Sequence, residues 1–265
     1  MSIRVAAVQL DVPRDEPKPR RVERVAELVA SLQGADLVVL PEAWNVGYFA
    51  FDRYADDAEA LDGDTVTAIR DAARVARAWV VAGSFVERDG DRLFNTTVLM
   101  DADGAIRETY RKVHLFGYRS QEQILLTPGE RVAVADTPFG RLGLCTCYDL
   151  RFPELFRAMV DEGAELFAVP AAWPYPRIEA WTVLARARSI ESQAWTIAVN
   201  CADEPGQGGC GRSSIVDPWG TVVASAGDRA EVLTAEIDPA AVRHARDTFP
   251  ALRDRVLPLE GSVAR

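Results

Sequence analysis

The chain has 265 residues, a formal net charge of −10 and an isoelectric point near 4.9. This acidity argues against nucleic acid or an anionic membrane as the main partner, because both attract basic surfaces. No apolar run approaches the ~20 residues of a membrane span, and a strand-like run begins at Ile3, which leaves no room for a signal peptide. We therefore expect a cytoplasmic location.

Apolar periodicity and turn residues predict strands that alternate with helices, followed by strands alone towards the end of the chain. The predicted strands are residues 3–10, 35–40, 79–85, 93–100, 105–110, 132–135, 142–147, 164–170, 196–200, 212–216, 221–225 and 232–237. The predicted helices are residues 17–33, 64–78, 153–162 and 177–193, with a hairpin turn at 101–104, a loop at 112–129 and an irregular tail. This order is typical of a mixed α/β layer fold in which helices cover sheets. No linker, composition break or repeat divides the chain, so we predict one domain over residues 1–265.

The four cysteines do not form the paired pattern of a zinc site. Cys145 and Cys147 are separated by one residue and would share one strand face, and the chain has only two histidines, His114 and His244. Structural zinc sites usually combine closely paired Cys or His ligands. We therefore expect free thiols in a reducing cytosol and no bound metal.

The stretch 141–154, RLGLCTCYDLRFPE, predicts a buried strand, a short turn and a helix that begins at Pro153. Cys147 would lie at the end of the strand, where the following backbone N–H groups can point at whatever the side chain attacks. Cys147 is therefore a candidate nucleophile. The alternative is a buried cysteine that acts only as a small apolar side chain.

Three more residues could assist Cys147. Glu42 follows the predicted strand 35–40, where partial burial would raise its pKa towards that of a general base, or it caps a turn after Pro41. Lys112 is one of only two lysines among 30 basic residues, which indicates either a need for a compact ammonium or chance retention. Glu122 lies in a loop and by itself is better interpreted as a solvated charge. Together, a carboxylate base and an ammonium can activate a thiol without histidine, and a pair of Cys147 with His114 ranks lower.

These residues lie in motifs that resemble the nitrilase superfamily of carbon–nitrogen hydrolases over essentially the whole chain. The motifs are LPEAWNVGY at 40–48, YRKVHLF at 110–116, CYDLRFPE at 147–154, PAAWP at 170–174, RARSIESQ at 186–193 and DPWG at 217–220. The resemblance implies a four-layer αββα sandwich that pairs with a second subunit into an eight-layer αββααββα homodimer. It assigns the family's glutamate, lysine and cysteine to Glu42, Lys112 and Cys147. It also selects Glu122, rather than Glu130, as the second glutamate.

The resemblance further implies that Cys147 attacks an amide carbonyl while Glu42 takes the thiol proton. Lys112 and the backbone N–H of Tyr148 would hold the oxyanion, and Glu122 would position Lys112 and the substrate. Water would then hydrolyse a thioester, with no metal or organic cofactor. The expected substrate is a small molecule.

The stretches 173–193 and 247–255 look most like the omega-amidase-type branch, which acts on small amides that carry a carboxylate. Arg177 and Arg151 could pair with such a carboxylate, although a structural ion pair with Glu154 or Asp149 is slightly favoured for Arg151. Further expected pocket walls, or alternatively core aromatics, are Trp173, Trp44 and Tyr48. The glycine-rich loop at 204–211 could border the pocket.

Other functions remain open at this stage. An N-carbamoyl amino acid or β-ureido hydrolase would use the same machinery with a different pocket, and true nitrilase activity ranks lower. A non-catalytic dimeric binding module on the same fold is the alternative from another class. The retention of Glu42, Lys112, Glu122 and Cys147 together argues against it.

Overall fold

A computed structural model describes residues 2–202 and 210–256 of the chain. Its strands are β1 Ile3–Gln9, β2 Leu37–Val39, β3 Trp79–Asp89, β4 Arg92–Met100, β5 Ile106–Arg111, β6 Val134–Thr137, β7 Gly140–Leu144, β8 Leu166–Ala171, β9 Trp195–Asn200, β10 Ser214–Val216, β11 Val222–Ser225 and β12 Glu231–Ile237. Its helices are α1 Lys18–Ser31, α2 Tyr54–Asp57, α3 Asp64–Ala76, α4 Glu122–Leu125, α5 Pro153–Asp161, α6 Ile178–Ser192 and α7 Ala240–Thr248, with 3-10 turns at Phe51–Arg53 and Cys147–Arg151. None of these helices is long and apolar enough to cross a lipid bilayer.

The strands form two six-stranded sheets. The first has the order β12-β1-β2-β3-β4-β5 and the second has the order β11-β10-β9-β8-β7-β6. In each sheet three central strands run parallel, β1-β2-β3 in the first and β7-β8-β9 in the second. The outer strands of both sheets pair antiparallel.

Alternation along the strands shows why the sheets stack face to face. Val5 and Ala7 of β1 join the core between the two sheets, whereas Ala6 and Val8 pack under α1 and α3. Successive side chains of a strand point to opposite faces, so a strand covered on both sides reads as a continuous apolar run. On the other side of the molecule α5 and α6 pack on the second sheet. The architecture is therefore the expected αββα sandwich.

The structure corrects several predicted boundaries. The strand predicted at 142–147 ends at Leu144, because Cys147 has a positive φ and begins a 3-10 turn; Cys145 and Cys147 therefore do not share a strand face. Strand β3 continues to Asp89, paired throughout its second half with β4. The predicted loop at 112–129 contains the single turn α4, and the predicted irregular tail contains α7. Helix α7 has nine residues, of which only Val242 and Ala245 are buried.

Candidate active site

Glu42 lies where the two sheets meet. It is the third residue after β2, and its backbone N–H donates to the Ala171 carbonyl at the end of β8 in the other sheet, at 3.3 Å. The side chain is fully buried, and its Oε2 accepts the Ala172 N–H at 2.9 Å. A carboxylate so enclosed is stable only when donors surround it. Glu42 is thus a buried acceptor between the sheets, and the alternative of a turn cap after Pro41 does not describe its contacts.

Lys112 is the next residue after β5 and is also fully buried. Its backbone N–H donates to the Asn95 carbonyl at 2.8 Å, which continues the pairing of β5 with β4. The Lys112 Nζ lies 2.8 Å from Glu42 Oε1 and 2.9 and 3.1 Å from the two oxygens of Glu122. A buried ammonium requires such partners, because desolvation of an unpaired charge costs several kcal/mol. The ammonium thus lies between the two carboxylates, and the specific need for an ammonium at this position stays a prediction.

Glu122 opens the short helix α4 and is fully buried, so its interpretation as a solvated loop charge is wrong. Its Oε2 accepts the Phe116 N–H at 2.7 Å and the Tyr48 hydroxyl at 3.1 Å. Its Oε1 accepts from Asn95 Nδ2 at 2.9 Å and from Lys112. Both oxygens of this carboxylate thus accept hydrogen bonds from protein donors, and these contacts fix the position of Lys112 in turn.

Cys147 begins a 3-10 turn in an unusual backbone conformation, with φ of +50°. The turn is held at its start by a capping box, in which the Thr146 side chain accepts from the Asp149 backbone and Asp149 Oδ2 accepts the Thr146 N–H at 2.9 Å. It is held at its end by the buried Arg188, which donates twice to the Leu150 carbonyl. These contacts stabilise a conformation that non-glycine residues rarely adopt.

The candidate general base and nucleophile interact. The Cys147 thiol contacts both the Glu42 carboxylate and the backbone N–H of Ala172. Burial, and then the charge of Glu42, raise the pKa of the Cys147 thiol well above its ordinary value. Burial also raises the pKa of Glu42, and nearby Lys112 only partly opposes this. The resting thiol is therefore protonated beside a carboxylate of increased basicity.

The ammonium stays charged in spite of its burial. Desolvation lowers the pKa of Lys112, but the charges of Glu122 and Glu42 outweigh it, so that the pKa lies well above the ordinary value. Lys112 therefore supplies a permanent positive charge next to the thiol. Opposite charges within a few ångströms favour the ionised form of both partners.

Cys147 opens onto a narrow pocket that is partly continuous with solvent. Aromatic side chains and two guanidinium groups line it: Tyr48, Phe49, Phe116, Tyr148, Trp173, Arg151 and Arg177. The predicted pocket residues Tyr48, Trp173, Arg151 and Arg177 thus all meet at Cys147. Trp44, the remaining candidate, is a core residue packed under α1 and α3, and its Nε1 donates to the Ala82 carbonyl at 2.8 Å.

The two pocket arginines lie over aromatic rings. The guanidinium of Arg151 is 4.8 Å from the Trp173 ring centre, and that of Arg177 is 5.2 Å from the Phe116 ring centre. Among the described residues neither arginine has a carboxylate within 4.0 Å, so the ion pair favoured for Arg151 is not formed. Within residues 2–202 and 210–256, both positive charges are therefore without an acidic partner.

The lower-ranked Cys–His pair is also absent from this arrangement. The His114 ring bonds to Asp149 Oδ1 at 2.8 Å and stacks on Phe152 with ring centres 3.8 Å apart. Asp149 accepts the Tyr110 hydroxyl as well, at 2.7 Å. His114 therefore supports the Cys147 turn through Asp149.

Sequence reasoning missed Asn95 and Ala172. Asn95 of β4 donates from Nδ2 to Glu42 Oε1 and to Glu122 Oε1, both at 2.9 Å. Polar residues that alternate with apolar ones along a strand are normally interpreted as solvent-facing. Asn95 and Thr97, however, lie on the same face of β4 as Leu99, which packs into the core between the sheets. Their alternation with Leu99 was the available sequence signal that Asn95 is buried. Of the predicted pocket border at 204–211, residues 204–209 lie outside the described part of the chain.

Comparisons with known proteins agree with this geometry. Residues 4–247 match the family model for carbon-nitrogen hydrolases. The chain is 38% identical over 261 residues to a 2-oxoglutaramate amidase of Paenarthrobacter nicotinovorans, which covers 95% of this chain and 88% of the relative.

Two solved structures share the fold. Saccharomyces cerevisiae Nit3, a member of branch 10 of the nitrilase superfamily, superposes with a TM-score of 0.88 at 30% identity, covering 97% of each chain. An amidase variant from Nesterenkonia sp. AN1 superposes with a TM-score of 0.81 at 26% identity, covering 96% of this chain and 97% of that one. It shows covalent addition of the acetamide moiety of fluoroacetamide at the active site cysteine. The chain described here belongs to the carbon-nitrogen hydrolase family of the nitrilase superfamily and is an enzyme that hydrolyses amide carbon–nitrogen bonds.

Proposed function

We propose that the enzyme is an omega-amidase, which releases ammonia from a small aliphatic primary amide that carries a carboxylate. The observation that carries this proposal is a protonated thiol next to a buried carboxylate and ammonium, beside a pocket lined by two guanidinium groups that have no acidic partner in the described part of the chain. Guanidinium binds carboxylate in a bidentate fashion. The 2-oxoglutaramate amidase among the relatives supports the same substrate class.

In the proposed acylation step the Cys147 sulfur attacks the amide carbon while Glu42 accepts the thiol proton. The Lys112 ammonium has three N–H groups. The two oxygens of Glu122 lie close enough together to share one of them, and Glu42 Oε1 accepts a second. The third remains for the carbonyl oxygen of the substrate. The Tyr148 backbone N–H is the second oxyanion donor. Donors aimed at developing charge stabilise the transition state by ~2.7–4 kcal/mol each.

The tetrahedral intermediate then collapses, and the carbon–nitrogen bond breaks as Glu42 returns its proton to the departing ammonia. Glu42 next removes a proton from water, which attacks the thioester carbon. Cleavage of the carbon–sulfur bond releases the acid, and the thiolate regains a proton. Glu122 holds Lys112 in place throughout and makes no covalent bond.

The first test is ammonia release from 2-oxoglutaramate, succinamate, glutamine and butyramide, set beside N-carbamoyl amino acids, with Cys147→Ala as the inactive control. Preference for a carboxylate-bearing amide would support the proposal. Activity on carbamoyl compounds alone would keep the mechanism and replace the substrate class. No turnover, together with slow and equal iodoacetamide labelling of all four cysteines, would favour a binding module.

The role of the guanidinium groups has its own test. Replacing Arg177 by Met should raise KM for succinamate by ~10–100-fold, because a bond to a charged group is lost. KM for butyramide, which has no carboxylate, should change little. Arg151→Met serves as the parallel variant, since Arg151 also lines the pocket. Equal effects on both substrates in both variants would remove the carboxylate from the proposal.

We also propose the homodimer that the family resemblance implies. Apolar side chains of α6 stand exposed in the isolated chain, with Val183 at 60% and Ile190 at 51% of their full accessibility. Association would remove such surface from water. A molar mass of one chain in sedimentation equilibrium would contradict this expectation.

A further inference from the structure

Asn95 joins the two buried carboxylates, and this contact is independent of Lys112. Its Nδ2 lies 2.9 Å from Glu42 Oε1 and 2.9 Å from Glu122 Oε1. Lys112 Nζ contacts the same two oxygens at 2.8 and 2.9 Å. The ammonium and the amide therefore close a ring of four hydrogen bonds in which each Oε1 accepts two.

The orientation of the Asn95 amide is fixed by these carboxylates. Both hydrogens of Nδ2 are used, while Asn95 Oδ1 is buried without a hydrogen-bond partner among the described residues. A rotated amide would direct its oxygen at two anions. An unpaired buried acceptor destabilises a fold, so a residue kept in this state calls for an explanation other than stability.

The ring also assigns different roles to the two oxygens of Glu42. A carboxylate oxygen has two acceptor sites, and those of Oε1 are filled by Asn95 and Lys112. Among the described residues Oε2 accepts the Ala172 N–H, a group that the Cys147 thiol also contacts. The thiol contacts the Glu42 carboxylate as well, so the acceptor site left for it is on Oε2.

We propose that Asn95 is a positioning residue that keeps Glu42 ionised and confines proton uptake to its Oε2, next to Cys147. A donor to the ionised form of a carboxylate favours that form, and the charge of Lys112 alone is shared with Glu122. Without the Asn95 amide, Oε1 would regain a free acceptor site, where a proton is held out of reach of the leaving ammonia. This inference rests on the proposed role of Glu42 as the base.

Other titratable groups near Glu42 define what a pH measurement reports. They come from the loop after β2, from the start of α2, from the residue after β5, from α4, from the Cys147 turn and from the residue after β9: Tyr48, Tyr54, Lys112, Glu122, Cys147 and Cys201. The two tyrosines and Cys201 have pKa values raised by burial, and Lys112 stays charged. On the acid side of the pH profile, called the acid limb below, the reactivity of Cys147 increases with pH. This increase therefore reports loss of the first proton from the Glu42–Cys147 pair.

The test is the pH dependence of Cys147 alkylation by iodoacetamide, followed by peptide mass spectrometry, together with kcat/KM for the best amide. In Asn95→Leu both acid limbs should move up by about one to two pH units, as expected for loss of one bond to a charged group. kcat should fall while KM changes little. Asn95→Ser, which can donate to one carboxylate only, should give a smaller shift and serves if the leucine variant fails to fold.

Thr96→Val is the matched control. Thr96 is the next residue of β4, equally buried, and its hydroxyl bonds to Glu87 on the other face of the sheet. It should lower Tm and leave both acid limbs unchanged. Acid limbs at the wild-type position in the Asn95 variants, with only Tm reduced, would overturn the inference. Because alkylation needs no substrate, a shifted limb in an enzyme that hydrolyses none of the amides would refute the proposed function and leave the inference standing.

Discussion

Replacing Lys112 by Arg tests whether the site needs a compact ammonium. The side chain is fully buried, with Nζ 2.8 Å from Glu42 Oε1 and 2.9 Å from Glu122 Oε1. A guanidinium keeps the charge but is larger, and its planar fork would be occupied by the two carboxylates. The donor for the substrate oxygen would then be lost, so we expect kcat to fall by ~10²–10³-fold, the effect of one oxyanion donor.

The same change should destabilise the fold moderately. Overpacking of a closed interior costs about 1–3 kcal/mol, which for a chain of this size lowers Tm by roughly 2–12 °C. Steady-state ammonia release and thermal unfolding measured on one preparation separate the two effects. Lys18→Arg is the control, since Lys18 is the only other lysine and also pairs with a carboxylate, that of Glu59. Near-normal kcat in Lys112→Arg would refute the need for an ammonium.

Three further predictions concern the same site and its support. Because burial raises the pKa of Glu42 and of the Cys147 thiol, kcat/KM should increase with pH, with an apparent pKa above the ~4.3 of free glutamate. A lower apparent pKa would contradict a buried base. Glu122→Gln should lower kcat by ~10–100-fold, because Lys112 loses a charged acceptor; unchanged kcat would make Glu122 dispensable. Gly83→Ala should lower the free energy of unfolding by more than about 2 kcal/mol, since its Cβ would lie 2.0 Å from the Pro41 carbonyl oxygen. Gly90→Ala, also at positive φ but with open space around it, should lower the free energy of unfolding by only about 1 kcal/mol, measured by thermal unfolding. Equal decreases in the two variants would show that the structure relieves the contact of the new Cβ with Pro41.

The sequence predicted those site residues that follow a strand or a hairpin. Glu42 comes after a strand of three Leu and Val residues, and Lys112 ends a hairpin, so both positions could be inferred from local pattern. Glu122 could not, because its burial depends on Tyr48, 74 residues away in the sequence, as well as on the nearer Phe116 and Lys112. Only the family resemblance selected it.

Asn95 and the Cys147 turn show a different limit of sequence reasoning. The strand around Asn95 is buried on both faces, and this follows from the stacking of two sheets rather than from β4 itself. Strand prediction likewise continued through Cys147, because Cys145 and Thr146 suit a strand. The positive φ at Cys147 depends on Asp149 and Arg188, which hold the turn from opposite ends.

The left-handed backbone at Cys147 sets folding and activity against each other at one position. A non-glycine residue there costs roughly 1–2 kcal/mol, and glycine would adopt the same φ without that penalty. Selection for thermal stability alone would therefore favour replacement of the thiol. Mutant libraries designed to stabilise this enzyme should therefore keep Cys147 and vary remote surface positions. Glycine is the residue best suited to the backbone conformation at position 147, but it would remove the nucleophile.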